Sequence, residues 1–231
     1  MKHPILRIRP VSEGLYEVSD LKIEALSSLR IWVFDLEATG LDVTRERVTQ
    51  IAGVPIERGR ILDDEAFVQL VYPGPGVEIS KEVQELTGIT PENLEGAPLF
   101  PEAWATCLAA ARGSQLWVGQ SAYEFDVPLL ETELARYHMH VPLPPILDSV
   151  VLATGLLGEP QRRWSTSALL RWFRISTEGL RRHDALDDVK ILARILLPMI
   201  QIIHEDHGDC VVLPADRPLA IKRHRPVKTA P

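Results

Sequence analysis

One segment limits what this chain can become more than any other: Ile31-Trp32-Val33-Phe34-Asp35-Leu36-Glu37, closed by Thr39-Gly40. Its β-branched and aromatic residues make residues 31–36 a buried strand, and the Thr-Gly pair ends it. Side chains alternate along a strand, so Asp35 and Glu37 share one face while Leu36 packs into the core on the other. Two carboxylates side by side at the end of a buried strand repel each other and lose hydration. A hard divalent cation such as Mg²⁺ or Mn²⁺ between them removes both penalties. The plainer alternative is two solvated acids at a strand end, and the pair alone does not choose between them.

The rest of the chain supplies a sheet for that strand. Residues 47–57 read as a second strand, Gly59-Arg60 as a turn and residues 61–72 as a third strand, a meander that Pro73-Gly74-Pro75-Gly76 ends. Ser80 caps a short helix with Val83 and Leu86 at helical spacing. Residues 101–112 form a helix, 115–118 a short buried strand, and 127–137 a helix followed by a Pro-rich loop at 142–145. Ile146-Leu147 is the last strand, and helices follow over about residues 149–156, 166–173 and 185–204. Three strands, then helices alternating with strands, predict an α/β fold: a mixed five-stranded sheet flanked by helices. Such sheets place their sites where the first strand of this chain carries its acids.

This order defines a domain over residues 30–204. Residues 1–29 form an N-terminal extension with a short strand at 15–18 and a short helix at 21–29. Residues 205–231 form a Pro-rich, partly basic tail with Lys222, Arg223, Arg225 and Lys228, expected to be loosely packed.

Two further acidic elements follow the first. Phe125-Asp126 stands ahead of the 127–137 helix, where Asp126 taken alone reads as an acid placed against the helix dipole. His183-Asp184-Ala185-Leu186-Asp187-Asp188 opens the long helix. Asp184 can cap it, and Asp188 lies one turn in, a further metal carboxylate facing the same cleft as His183. Asp187 competes for that role one residue away. With a reference pKa of ~6.5, His183 suits taking a proton from water near neutral pH.

Composition bears on partners. The net charge of −7 counts against a protein that coats long duplex DNA. It counts much less against an enzyme gripping a few nucleotides, whose carboxylates hold cations. No apolar run reaches the ~18 residues of a membrane span, and residues 1–10 lack a signal peptide's apolar core, so no membrane partner is expected. Two cysteines, Cys107 and Cys210, fit a reducing cytoplasm.

Together these elements identify a resemblance. Phe34-Asp35-Leu36-Glu37-Ala38-Thr39-Gly40-Leu41, Phe125-Asp126-Val127-Pro128-Leu129-Leu130 and His183-Asp184-Ala185-Leu186-Asp187-Asp188 resemble the DEDD exonuclease superfamily in its histidine-containing branch. That branch includes the proofreading epsilon subunit of bacterial replicative polymerases. Leu86-Thr87-Gly88-Ile89-Thr90 and Asp148-Ser149 are similar to two further segments of the family, and the likeness spans about residues 29–199.

The resemblance implies a ribonuclease H-like fold and a 3′→5′ exonuclease. It would release nucleoside 5′-monophosphates from single-stranded nucleic acid with two Mg²⁺ or Mn²⁺ ions about 3.5–4 Å apart. It assigns Asp35, Glu37, Asp126 and Asp188 to the metals, His183 to the attacking water, and Ala38, Thr39 and Leu41 to the terminal nucleotide, with little base preference. A DNA polymerase or repair partner is implied as well. Two departures stand out: Ser121-Ala122 occupy the place of a usual His-Asn, and Ala38 that of a common Thr.

Several features have blander readings. Arg181-Arg182 could guide single-stranded substrate, whereas Arg162, Arg163 and Trp164 read as surface charge and a packed ring. His204, His207 and Cys210 have zinc-like spacing without a fourth ligand and read as a helix end. Trp32, Trp104, Trp117 and Trp172 fall in apolar runs expected in the core. The competing functions are a non-catalytic nucleic-acid or polymerase-binding module and a phosphatase of small phosphates.

Overall fold

The two ends of the chain find each other. The computed structural model describes residues 7–158 and 162–223, so Arg225 and Lys228 lie outside the described residues. Strands β1 (Arg7–Ser12) and β2 (Leu15–Ser19) form a hairpin, and β3 (Leu21–Glu24) follows. The expected helix at 21–29 is therefore this strand plus one 3-10 turn, Leu26–Ser28. Left-handed residues at Asp20 and Ala25 break the segment into pieces too short for a helix. Tyr16 and Val18 on β2, and Leu21 and Ile23 on β3, alternate into the core.

The central sheet comes next. Strand β4 (Ile31–Ala38) pairs antiparallel with β5 (Val48–Glu57). The expected third strand is interrupted: β6 (Arg60–Ile61) and β7 (Phe67–Leu70) each pair with β5, separated by a 3-10 turn at Asp63–Glu65. Three consecutive acids favour exposure there, and Arg30 reaches both Glu57 and Glu65. The sheet thus has six strands where five were expected.

Helices α1 (Lys81–Thr87) and α2 (Phe100–Ala110) lead to β8 (Leu116–Gly119), which lies parallel to β4. Then come α3 (Asp126–Arg136) and β9 (Ile146–Asp148), the latter parallel to β8, followed by α4 (Ser149–Leu157), α5 (Thr166–Phe173) and α6 (Ala185–Asp206). The path β6-β5-β4-β8-β9, with helices on both faces, is the expected mixed sheet.

The two faces of β4 build two cores. Ile31 and Val33 join α4, α5 and α6, whereas Trp32, Phe34, Leu36 and Ala38 join α2 and α3. A glycine inside β5 has a packing reason: a Cβ on Gly53 would lie 2.2 Å from the Trp32 ring. Trp32, Trp104 and Trp117 are buried as expected, but Trp172 is 44% exposed, edge-on to buried Trp164.

The tail is not loose over its described length. Left-handed Gly208 and Asp209 turn the chain at the end of α6. Strand β10 (Cys210–Leu213) then pairs with β3, and β11 (Leu219–Lys222) with β2. The Asp209 carboxylate accepts from the backbone N–H and the hydroxyl of Ser27, both at 2.8 Å, and so ties tail to extension. His204 lies beside that same carboxylate, and no metal-holding group forms around His204, His207 and Cys210 among the described residues. No described helix is long and apolar enough to cross a membrane.

Candidate active site

Parallel strands β4 and β8 end at the same edge of the sheet, and their C-terminal ends meet the N-termini of α3 and α6. Asp35 and Glu37 continue the Ile31–Val33 face, the one against α6. Asp184 caps α6, its carboxylate accepting from Asp187 N–H at 3.1 Å. Asp187 turns its own carboxylate back to Arg181 N–H at 2.8 Å, while Asp188 faces the cleft. Of the two neighbouring acids, Asp188 is the one that lines the cleft. Oxygens of Asp35, Glu37 and Asp188 all lie within 4.8 Å of one another.

Asp126 lies outside that trio but on the wall of the same cleft, 3% exposed. It is the first residue of α3, and the turn before it is held by a buried carboxylate. Asp148 accepts from Ser121 N–H at 3.1 Å, Tyr123 N–H at 3.0 Å and Val150 N–H at 2.8 Å, capping α4 at the same time. Asp148 thus fixes the position of Asp126 without entering the cleft.

His183 also lines the cleft, with its side chain exposed. Its backbone is left-handed at φ 63°, and its N–H donates to Asp188 Oδ2 at 2.9 Å. Such a conformation costs a non-glycine residue on the order of 1 kcal/mol and recurs where function holds it. Arg182 makes an ion pair with Asp188 Oδ1, Nε to oxygen 2.6 Å.

The turn after β4 divides its roles. Ala38 lines the cleft, and Leu41, 70% exposed, stands on its rim. Thr39 is buried, and its hydroxyl is already engaged, donating to Glu46 and accepting from Arg47 N–H. Two cleft residues escaped the sequence reading. Leu86, read only as a helical position at the spacing of Val83, is 49% exposed and lines the cleft with Val83. Gln120, next to the departure at Ser121-Ala122, donates to Trp164 carbonyl at 2.9 Å and accepts from Ser149 Oγ at 2.6 Å. It joins β8 to α4 and to the segment leading into α5. Its only sequence signal was its place beside the unusual Ser-Ala pair.

The electrostatics ask for cations. Burial, then Asp126, Glu37 and Asp188, push the Asp35 carboxyl well above its usual range. Burial, then Asp188 and Asp126, push Glu37 up to about 8. Burial raises Asp188 too, against the opposing charge of Arg182. Asp188 Oδ1 is buried with no hydrogen-bond donor aligned on it among the described residues. Close hard oxygens, whose ionised forms burial and their mutual repulsion disfavour, fit divalent ions of the Mg²⁺ type. The cleft that contains them has a volume of about 540 Å³.

Known proteins resemble this chain in sequence and in fold. The RNase T exonuclease family model matches residues 32–196. DNA polymerase III subunit epsilon of Aquifex aeolicus is 31% identical over 176 residues, 76% of this chain and 83% of that one. The PolC-type DNA polymerase III of Caldanaerobacter subterraneus is 29% identical over 174 residues, and this chain spans only 12% of its length. Among solved structures, the nuclease domain of 3′hExo, a DEDDh family member bound to rAMP, shares the fold. Its TM-score is 0.66 and its identity 20%, over 75% of this chain and 92% of that one. With the family model covering most of its length and the carboxylates gathered at the end of β4, this chain belongs to the exonuclease family.

Proposed function

We propose that the protein is a 3′→5′ exonuclease that hydrolyses the terminal phosphodiester of single-stranded DNA or RNA. The observation that carries this reading is the carboxylate trio at the end of β4 with His183 in the same cleft. Asp35, Glu37 and Asp188, with Asp126 beside them, would hold two Mg²⁺ or Mn²⁺ ions. Such ions activate water and neutralise charge at phosphorus. The chain's own groups do the rest. Leu41, Val83 and Leu86 offer apolar contact to the terminal base, which is tolerant of base identity. The imidazole of His183 takes one proton from the attacking water. The water oxygen bonds to phosphorus, the P–O3′ bond breaks, and the departing 3′ oxygen gains a proton. The products are a nucleoside 5′-monophosphate and a strand one unit shorter. Relatives named as DNA polymerase III chains favour DNA 3′ ends and a polymerase partner in the cytoplasm.

On this reading His183→Ala lowers kcat by about 10²–10⁴, the usual weight of a positioned general base. The rise in melting temperature on adding Mn²⁺ stays, because no metal oxygen is removed. Single-turnover rates, with chromatography of the released nucleotide, check both the loss and the 5′-monophosphate product. A nucleoside 3′-monophosphate product would contradict the bond assignment.

A pure binding module has no use for buried acids that repel one another. A folded protein that binds oligonucleotides and releases nothing in either metal would make that alternative the better one.

A further inference from the structure

The cleft is acidic. Asp35, Glu37, Asp126, Asp188 and Glu82 all line it, and among the described residues Arg182 is its one lysine or arginine. We propose that Arg182 binds the phosphate of the substrate directly, next to the bond that is cut. This rests on the exonuclease reading above and adds to it a specific contact.

Three observations carry it. First, Arg182 is badly placed to be only a support for Asp188. That carboxylate is already fixed by the His183 N–H at 2.9 Å, and the Arg182 contact is an ion pair without an aligned hydrogen bond. With 38% of its side chain accessible against 13% for Asp188, Arg182 is the solvent-facing member of the pair. Second, a guanidinium carries five N–H donors in a planar fork suited to phosphate, and Asp188 is the one carboxylate partner of Arg182 among the described residues. Donors remain for another acceptor. Third, the left-handed backbone at His183 brings two consecutive side chains, Arg182 and His183, to one cleft. An extended segment would send them to opposite sides.

Charge points the same way. Two divalent ions offset the four carboxylates Asp35, Glu37, Asp126 and Asp188, and the phosphodiester's own negative charge then meets Arg182. Neighbouring Arg181 does something different: its guanidinium lies over the end of α1, 3.3 Å from the position of a Cβ on Gly88. That is the C-terminal end of a helix, where a cation is favourable.

The test uses full-length protein with a fluorescent dT oligonucleotide in Ca²⁺, chosen to hold substrate with slow turnover. Binding is measured by anisotropy across a salt series, Mn²⁺ affinity by calorimetry, and cleavage in Mg²⁺. Arg182→Ala should weaken oligonucleotide binding about 10-fold. The slope of log K against log salt should fall by about 0.7, the loss of one phosphate contact on a single strand. Its Mn²⁺ affinity should stay within about 2-fold of wild type. Arg182→Lys should restore the salt slope but only part of the affinity, since the planar fork is lost. Unchanged binding and slope in Arg182→Ala, with weaker Mn²⁺ affinity, would mean that Arg182 acts through Asp188, and would overturn the proposal alone. Wild-type protein that neither binds nor cleaves would instead overturn the exonuclease reading.

Discussion

In Mg²⁺, the Asp35→Ala protein releases nucleotides at least about 10³-fold more slowly than wild type, yet without metal it melts no lower. The first effect follows from position. Asp35 shares the end of β4 with Glu37 and offers an oxygen within 4.8 Å of those of Glu37 and Asp188, so on the proposed two-metal reading its loss removes one of the oxygens that would hold the ions. Charge stabilisation at a reacting centre is commonly the largest single contribution to catalysis, and one lost donor already costs 10²–10³. The second effect follows from electrostatics. Burial and three neighbouring carboxylates hold Asp35 in an unfavourable state, and its removal relieves them. The rise in melting temperature with Mn²⁺ should shrink in the same variant. Single-turnover rates and melting curves with and without EDTA check all three. Near-normal turnover in folded Asp35→Ala would sink the metal assignment.

The metal-free protein should lose stability as pH rises from about 4.5 to about 8. Glu37 has its ordinary value of 4.5 in the unfolded chain and about 8 in the folded one, and Asp35 and Asp188 are raised in the same direction. Between those values the folded state binds more protons than the unfolded state, so the unfolding free energy declines with pH. The stability is fully present below 4.5 and gone above about 8. At 1.36 kcal/mol per unit, the Glu37 shift corresponds to on the order of 5 kcal/mol, an amount the cluster shares and that is not added once per acid. Asp148, pushed up to about 7 by burial, adds a decline of the same sign. Saturating Mg²⁺ should remove the cluster's part of the slope and raise stability, by about 2.7 kcal/mol at a hundredfold excess over Kd. Urea midpoints in EDTA at pH 5, 6.5 and 8, repeated in Mg²⁺, read this directly. A stability that is flat or rising over that range in EDTA would contradict the description of the site.

What the sequence makes legible here is what local pattern controls. The 31–37 run carries both a buried strand and the alternation that pairs Asp35 with Glu37, and the structure has both. In the extension the strand at 15–18 was legible and is β2, but the pairing of extension with tail was not, because the partners are distant: β2 pairs with β11 and β3 with β10, across nearly the whole chain. The alternation at Tyr16 and Val18, and at Leu21 and Ile23, was present in strands of only five and four residues. Asp187 and Asp188 could not be separated by spacing, since a third of a helical turn decides little when the cleft is unknown. In the structure Asp187 accepts from Arg181 N–H, and Asp188 lines the cleft. Trp172 belongs to an eight-residue helix whose apolar run does not say which ring packs inward; Trp164 took the interior. Leu86 and Gln120 needed the cleft itself, because their roles depend on what faces them across it.

The central claim is most directly tested with purified protein and 5′-labelled single-stranded DNA and RNA of one sequence, in Mg²⁺, Mn²⁺ or EDTA. The expected result is a ladder that shortens from the 3′ end in either metal and stops in EDTA, with the DNA-to-RNA rate ratio naming the preferred substrate. Full-length strands of both kinds in both metals, from protein shown to be folded, would contradict it.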